Sequence, residues 1–259
     1  MLILLPPSEG KATPRRGASL DLSRLSWPEL TATREQVLSA LVSLCINDPE
    51  HAAEVLGLGA TQLDEVRHNA RLPTAPTARA DAVYTGVLYD ALDLASLDQA
   101  ARRRATRWLA VTSSLFGLVG ADDRIPSYRL SGGTNLPGVG VISAQWRNVL
   151  DPAVREAAGS GLVIDLRSST YASFWRPSSD LAPRVAAVRV LHEVGGRRTV
   201  VSHFNKATKG RLVRALLQRG EAPRSPAALA DTLGALGWKT ELGSPARHGV
   251  PLDVVVEEL

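Results

Sequence analysis

The lysines are the residues whose type and placement best suit chemistry. Only four of the chain's 30 basic side chains are lysine, and three of the four fall in two short motifs, Ser8-Glu9-Gly10-Lys11 and Asn205-Lys206-Ala207-Thr208-Lys209-Gly210. Elsewhere the chain uses arginine for positive charge, so a lysine kept in a motif points to a task that guanidinium does poorly. A compact ammonium binds a phosphate oxygen as a point charge, or loses its proton in a dry pocket and serves as base or nucleophile. The fourth, Lys239, reads as the exposed face of a strand and is the internal control for chance placement.

The second motif lies between a predicted strand over Arg197 to Phe204 and a predicted helix over Thr208 to Arg219. On a helical wheel Leu212, Val213, Leu216 and Leu217 gather on one side, with Arg211, Arg214 and Gln218 opposite. Lys209 projects on the apolar side, and Lys206 stands in the turn before it. Cations in a first helical turn oppose the helix dipole, so the pattern predicts an anion held there by free backbone N–H groups and both ammonium groups. Gly210 would let that ligand come close. The plainer alternative is two lysines lying over the surface.

Ser8 to Lys11 leaves a predicted buried strand, Leu2 to Leu5, at a usual place for function. It is not a phosphate-binding P-loop, because residue 5 is leucine where that motif needs glycine. Glu9 with Lys11 is either an acid/base pair or a surface ion pair. Leu56-Gly57-Leu58-Gly59, between two short predicted helices, has the form of a helix-hairpin-helix, in which Gly57 and Gly59 permit the turn and amides of the second helix face a phosphate. An ordinary glycine C-cap looks the same. Arg102-Arg103-Arg104 with Arg107 is a solvated face or a footprint on a polyanion. The five histidines show no ligand spacing, so no metal site is expected. His203, beside the lysine turn, reads as a strand-face residue. Nucleophile-elbow and dinucleotide fingerprints are absent, and no cofactor is expected.

These segments need a scaffold, and the composition supplies one. With 259 residues, 44% hydrophobic and 22% charged, the expectation is one large domain over 1–259. A net charge of +4 admits a polyanionic partner without requiring one. The lone Cys45 excludes an intrachain disulfide and fits a reducing compartment, and the N-terminus reads as a strand, not a signal peptide. No run approaches a membrane span. The expected location is the cytoplasm and the expected state a monomer. Strands are predicted over Leu2 to Leu5, Trp108 to Leu115, Leu162 to Leu166, Val185 to Val194, Trp238 to Leu242 and Val250 to Val256. Helices fall between them, and Gly195-Gly196 marks a hairpin. Hairpins and crossovers mix, which gives an α/β or α+β class with a mixed sheet.

Taken in order, seven segments resemble the YaaA family of peroxide-stress proteins. They are Leu4 to Lys11, Val83-Tyr84-Thr85-Gly86, Leu115 to Leu118, Ile125 to Leu130, Trp146, Ile164 to Tyr171 and Phe204 to Gly210. They span residues 1 to about 217, and the last 40 residues match weakly. The resemblance implies a compact α/β fold, a mixed sheet surrounded by helices with a helix-hairpin-helix element at about 50–71. It also implies a cytosolic bacterial protein that binds double-stranded DNA through a positive cleft and limits iron-dependent oxidative damage. The chain has Ser-Glu-Gly-Lys where some members have Ser-Pro-Ala-Lys; Lys11 is common to both, Glu9 is not.

Two functional readings stay open. In the first, DNA or a nucleotide is bound by Lys11, Gly57, Gly59, Thr85, Arg129, Ser169, Lys206, Lys209 and Gly210, with Tyr84, Tyr128, Trp146 and Tyr171 as stacking surfaces. Tyr84 and Tyr171 are the stronger stacking candidates. In the second, an enzyme acts on a nucleotide, nucleobase or damaged DNA base, with Lys11 or Lys209 as nucleophile or base and Asp165 or Glu9 as partner.

Overall fold

The computed structural model describes residues 1–195, 197–199 and 202–257. Eight strands form its central mixed sheet: β1 (Leu2–Leu5), β2 (Leu109–Ser113), β3 (Gly117–Gly120), β4 (Val163–Asp165), β5 (Val185–Val194), β6 (Arg197–Thr199), β7 (Lys239–Leu242) and β8 (Val250–Val256). Their spatial order is β7-β8-β5-β4-β1-β2-β3, with β6 paired to β5. The inner strands β8, β5, β4, β1 and β2 are mutually parallel, and β3, β6 and β7 add antiparallel pairs. The expected α/β class with a mixed sheet is the observed one. β1 is buried at all four positions, as its unbroken apolar run requires of a strand paired on both edges and covered on both faces.

Helices pack around this sheet: α1 (Thr31–Asn47), α2 (Pro49–Val55), α3 (Asp64–Asn69), α4 (Val87–Leu92), α5 (Gln99–Trp108), α6 (Leu150–Ala158), α7 (Ser202–Arg219) and α8 (Pro226–Ala235), besides shorter turns. Their starts follow local chemistry. Asp48 caps α2 by accepting from the His51 N–H, with Pro49 at the first helical position; Ser225 and Pro226 do the same for α8. Arg34 of α1 is fully buried and donates to the carbonyls of Phe116, Ser26 and Leu118, which ties the helix to the β2–β3 turn.

Two expectations change here. α7 begins at Ser202, not Thr208, and the strand before it ends at Thr199. A short apolar run fits either strand or helix; the choice falls to helix because α7 packs along α4. Gly210 sits at that crossing, where an added Cβ would lie 2.2 Å from the Leu88 carbonyl oxygen. The close approach that demands glycine is therefore made by a helix, not by a ligand. β3 is absent from the predicted strands, because the glycines at both its ends, Gly117 and Gly120, disguise it. Gly117 has φ of +74°, and a side chain there would strike the Trp146 ring. The expected hairpin appears as antiparallel β5–β6 pairing, with Arg197 opposite Val194; Gly196 lies outside the described residues.

Candidate anion-binding site

Three neighbouring parallel strands end together, β1 at Leu5, β2 at Ser113 and β4 at Asp165. The chain leaves β1 for β2 on one side, and β4 lies on the other. Connections that part in this way leave a crevice at the carboxyl edge, the usual ligand position of an open α/β sheet.

The loop after β1 is fastened across that edge. Ser8 Oγ accepts from the Thr85 N–H at 3.1 Å, Lys11 forms a β-bridge with Tyr84, and the Ala12 N–H donates to the Val83 carbonyl at 2.8 Å. The two motifs Ser8–Lys11 and Val83–Gly86 are thus one structural unit. Lys11 Nζ donates to the Ser8 carbonyl at 2.7 Å and to the Glu9 carbonyl at 3.4 Å. It stands 4.4 Å from the centre of the Tyr128 ring and 5.8 Å from that of Tyr84. Burial, then the charge of Arg129, lowers its pKa from 10.5 to about 8, against a smaller opposing pull from Glu65 and Glu9.

Arg129 completes a cationic pair with Lys11. Its side chain is 22% exposed, and its nearest carboxylate oxygen, on an 86% exposed Glu9, is 3.9 Å from Nη1. Its buried Nε has no hydrogen-bond partner among the described residues. Asn69, at the end of α3, holds this segment in place. Its side-chain N–H donates to the Arg129 carbonyl at 2.7 Å and its Oδ1 accepts from the Arg129 N–H at 2.9 Å. His68 Nε2 lies 2.8 Å from both the carbonyl and the hydroxyl of Ser127. The helical hairpin α2–α3 is therefore bolted to the strand-end crevice. Sequence reasoning did not single out Asn69, because its partner lies 60 residues away and no local pattern marks the pair.

Below the lysine, hydroxyls form a chain: Tyr84 to Tyr128 at 3.1 Å and Tyr128 to Ser113 Oγ at 2.8 Å. Burial raises the pKa of both phenols, so they stay neutral across the physiological range. Their burial also changes the stacking expectation. Tyr84 and Tyr128 are each 2% exposed, and Trp146 is fully buried with its N–H on the Ser114 carbonyl. Tyr84 stacks on Tyr89, and Tyr128 meets the edge of Phe116. These rings are walls. Tyr171, half-buried beside Phe174, is the one of the four with accessible ring surface.

The second lysine motif has a different role. Lys209 is 8% exposed and donates to the carbonyls of Leu166 at 2.8 Å and Arg167 at 3.3 Å, stitching α7 to the end of β4. Burial lowers its pKa to about 8, opposed by Asp165. Asp165 itself is gripped by Arg167 through two bonds, of 2.9 and 2.7 Å, and its pKa is lowered because that ion pair outweighs the burial cost. Since α7 starts at Ser202, Lys206 and Lys209 lie inside the helix, and the free N–H groups of a helix start are not beside them. The anion site expected at that turn is not formed there. Lys206 is exposed on the helix surface, and the His203 side chain lies outside the described residues.

A family model described as peroxide stress protein YaaA matches residues 1–241. The chain belongs to the YaaA family. It is 56% identical over 261 residues to a UPF0246 protein of Streptomyces coelicolor, covering 100% of both chains. It is also 41% identical to a UPF0246 protein of Corynebacterium efficiens, over 98% of this chain and 100% of that one. A more distant relative is an uncharacterized protein of Campylobacter jejuni, 26% identical over 82% of this chain and 83% of its own length. Membership brings a stress-response role.

The remaining expected residues of this YaaA family chain fall at scattered depths. Thr85 is half-buried on the Ser8 loop, and Ser169 is exposed at the start of the short helix Ser169–Ala172. Gly57 and Gly59 are exposed in the α2–α3 turn, where Gly57 has φ of +63° and the Gly59 N–H donates to the Gln62 side chain at 3.3 Å. In the basic run, Arg104 donates to the Leu217 carbonyl at 2.6 Å, while Arg103 and Arg107 are on the exposed face of α5. Lys239 is an exposed residue of β7 paired to Glu257, as its control role requires. Two open grooves run along α1, with Glu35 and Asp48 as their charged lining residues, so they offer an anion nothing. Among the described residues no three His, Cys, Asp or Glu side chains converge, and no helix is long and apolar enough to cross a membrane.

Proposed function

We propose that this YaaA family protein acts in the cytosol during peroxide stress by binding DNA at the strand-end crevice, where Lys11 and Arg129 grip a backbone phosphate. The α2–α3 hairpin contacts the same duplex, and occupancy of the DNA limits iron-dependent damage to it. One observation carries the reading: two cationic groups, both partly withdrawn from water, share a crevice in which neither forms a close carboxylate pair, the exposed Glu9 lying 3.9 Å from Arg129 and Glu65 and Glu9 acting on Lys11 only as distant charges. Like charges brought together in this way call for an anion between them. Duplex affinity measured against salt provides the test. The parent chain should lose affinity steeply as salt rises, and Arg129→Met should flatten the log–log slope by about one unit. A parent with no salt-dependent binding, or an Arg129 variant with an unaltered slope, would overturn the reading.

The enzymatic reading keeps one specific support. Lys11 has a pKa of about 8 and no ion pair to a carboxylate among the described residues, the condition of an amine available for chemistry.

A further inference from the structure

We propose that Lys11 is a covalent site: its amine forms an imine with the carbonyl carbon of a phosphate-bearing sugar aldehyde, while Arg129 holds the phosphate. This deepens the reading above and rests on it for the phosphate position. A neutral amine has two N–H groups and one lone pair. The Ser8 and Glu9 carbonyls, at 2.7 and 3.4 Å, accept from two N–H groups and leave the lone pair uncommitted. The rings of Tyr128 and Tyr84 wall the nitrogen on another side, at 4.4 and 5.8 Å from their centres. Desolvation beside a second cation is the arrangement that frees a lysine for imine formation. Arg129 contributes a buried Nε–H without an acceptor, which a ligand oxygen would satisfy.

The step balances without a co-reactant. The amine lone pair adds to the aldehyde carbon, both amine protons pass to the carbonyl oxygen, and that oxygen leaves as water, so that C=N replaces C=O. Oxidation of nucleic-acid sugars and hydrolytic loss of bases both leave such aldehydes flanked by phosphate. The same chemistry is offered by a free sugar phosphate, and the experiment separates the two sources.

The full chain would be incubated with sodium cyanoborohydride and, in separate arms, a duplex carrying one abasic site or ribose 5-phosphate. Hydride delivery to the imine carbon leaves a stable secondary amine, so the adduct weighs one oxygen less than chain plus ligand. We expect a single adduct that maps to Lys11, grows as pH rises through about 8, and persists in Lys239→Arg. It should vanish in Lys11→Arg and in Lys11→Met. Adduct in the duplex arm alone identifies DNA as the source, and adduct in the ribose 5-phosphate arm alone identifies the free sugar. Mapping in the parent chain keeps the test decisive even if a variant fails to fold. Salt-dependent duplex binding with no adduct in either arm, or an adduct mapped to another amine, overturns the covalent site and leaves the DNA reading intact. Adduct at Lys11 from ribose 5-phosphate, with no binding of intact duplex, does the reverse.

Discussion

Two lysines, Lys11 and Lys209, have their pKa drawn from 10.5 to about 8, in each case chiefly by burial. Their surroundings differ. Lys209 is enclosed by the carbonyls of Leu166 and Arg167 with Asp165 acting on it, and the group next to it is the closed Asp165–Arg167 pair. Lys11 meets two carbonyls, two aromatic rings and a second cation, and its region contains a buried polar nitrogen with no partner. A shifted pKa by itself does not distinguish a fastening from a reactive group. What separates them is whether the neighbouring polar atoms are already satisfied by the protein. The groups that Lys209 touches are paired within the protein, although Asn205 Oδ1 one turn earlier on α7 has no partner among the described residues; beside Lys11 the unpaired group is a cationic donor, the Arg129 Nε–H.

The largest expected effect lies in the Lys209 region. Arg167→Ala leaves Asp165 without its ion-pair partner, and urea denaturation should show a loss of roughly 3–5 kcal/mol, the range for stripping one partner from a buried pair. A loss under about 1 kcal/mol would mean that the pair is not the anchor of the β4 end. Next comes the contrast between the lysines. Lys209→Met abandons two buried carbonyl oxygens and should cost roughly 1–3 kcal/mol, whereas Lys11→Met frees one part-buried and one exposed carbonyl that water can satisfy and should change stability by less than about 1 kcal/mol. Equal losses in the two variants would erase the distinction drawn here. Gly210→Ala, by forcing α7 off α4, should lower stability by roughly 1–3 kcal/mol while leaving the salt slope of DNA binding in place. A slope altered by that change would bring Gly210 back to the ligand.

The smallest effect is in pH. For both lysines the folded-state pKa is below the unfolded value, so between about pH 8 and pH 10.5 the unfolded chain carries protons that the folded chain has released. Stability from these groups therefore rises with pH across that window. The buried Cys45 thiol, raised from 9.0 to about 11, and above pH 10.0 the raised phenols of Tyr84, Tyr89 and Tyr128 work in the opposite sense, since the unfolded chain loses those protons first. Melting temperatures should climb gently above pH 8 and turn down beyond pH 10. Lys11→Met and Lys209→Met should each remove part of the climb, and a parent that only loses stability above pH 8 would contradict the burial of both amines.

Much of this molecule is readable in one dimension. The apolar run at Leu2–Leu5 is unbroken because that strand is paired on both edges and covered on both faces, whereas Val185–Val194 and Val250–Val256 are mainly apolar strands interrupted by Arg189, His192, Glu193 and Asp253. The helical wheel after Lys206 placed Lys209 on the buried side, where it is. Four lysines among 30 basic residues, three of them in motifs, were enough to pick out the groups that matter. Those readings succeed because side-chain periodicity and residue choice are local properties of the chain.

Periodicity says that a face is buried and is silent on what it is buried against. Lys209 reads as an anion ligand because a cation in a first helical turn opposes the helix dipole; the helix begins earlier, and the partners of Lys209 are backbone carbonyls of a strand end 42 and 43 residues before it. Gly210 was read as an opening for a ligand, and the close neighbour is the Leu88 carbonyl of another helix. Asn69 and Arg129 carry no sign of each other, yet their paired bonds place the guanidinium beside Lys11. By itself the sequence determined which residues are unusual and which faces are apolar. Only the tertiary structure decided which of the unusual residues are left unsatisfied, because hydrogen-bond satisfaction depends on partners brought together from distant parts of the chain.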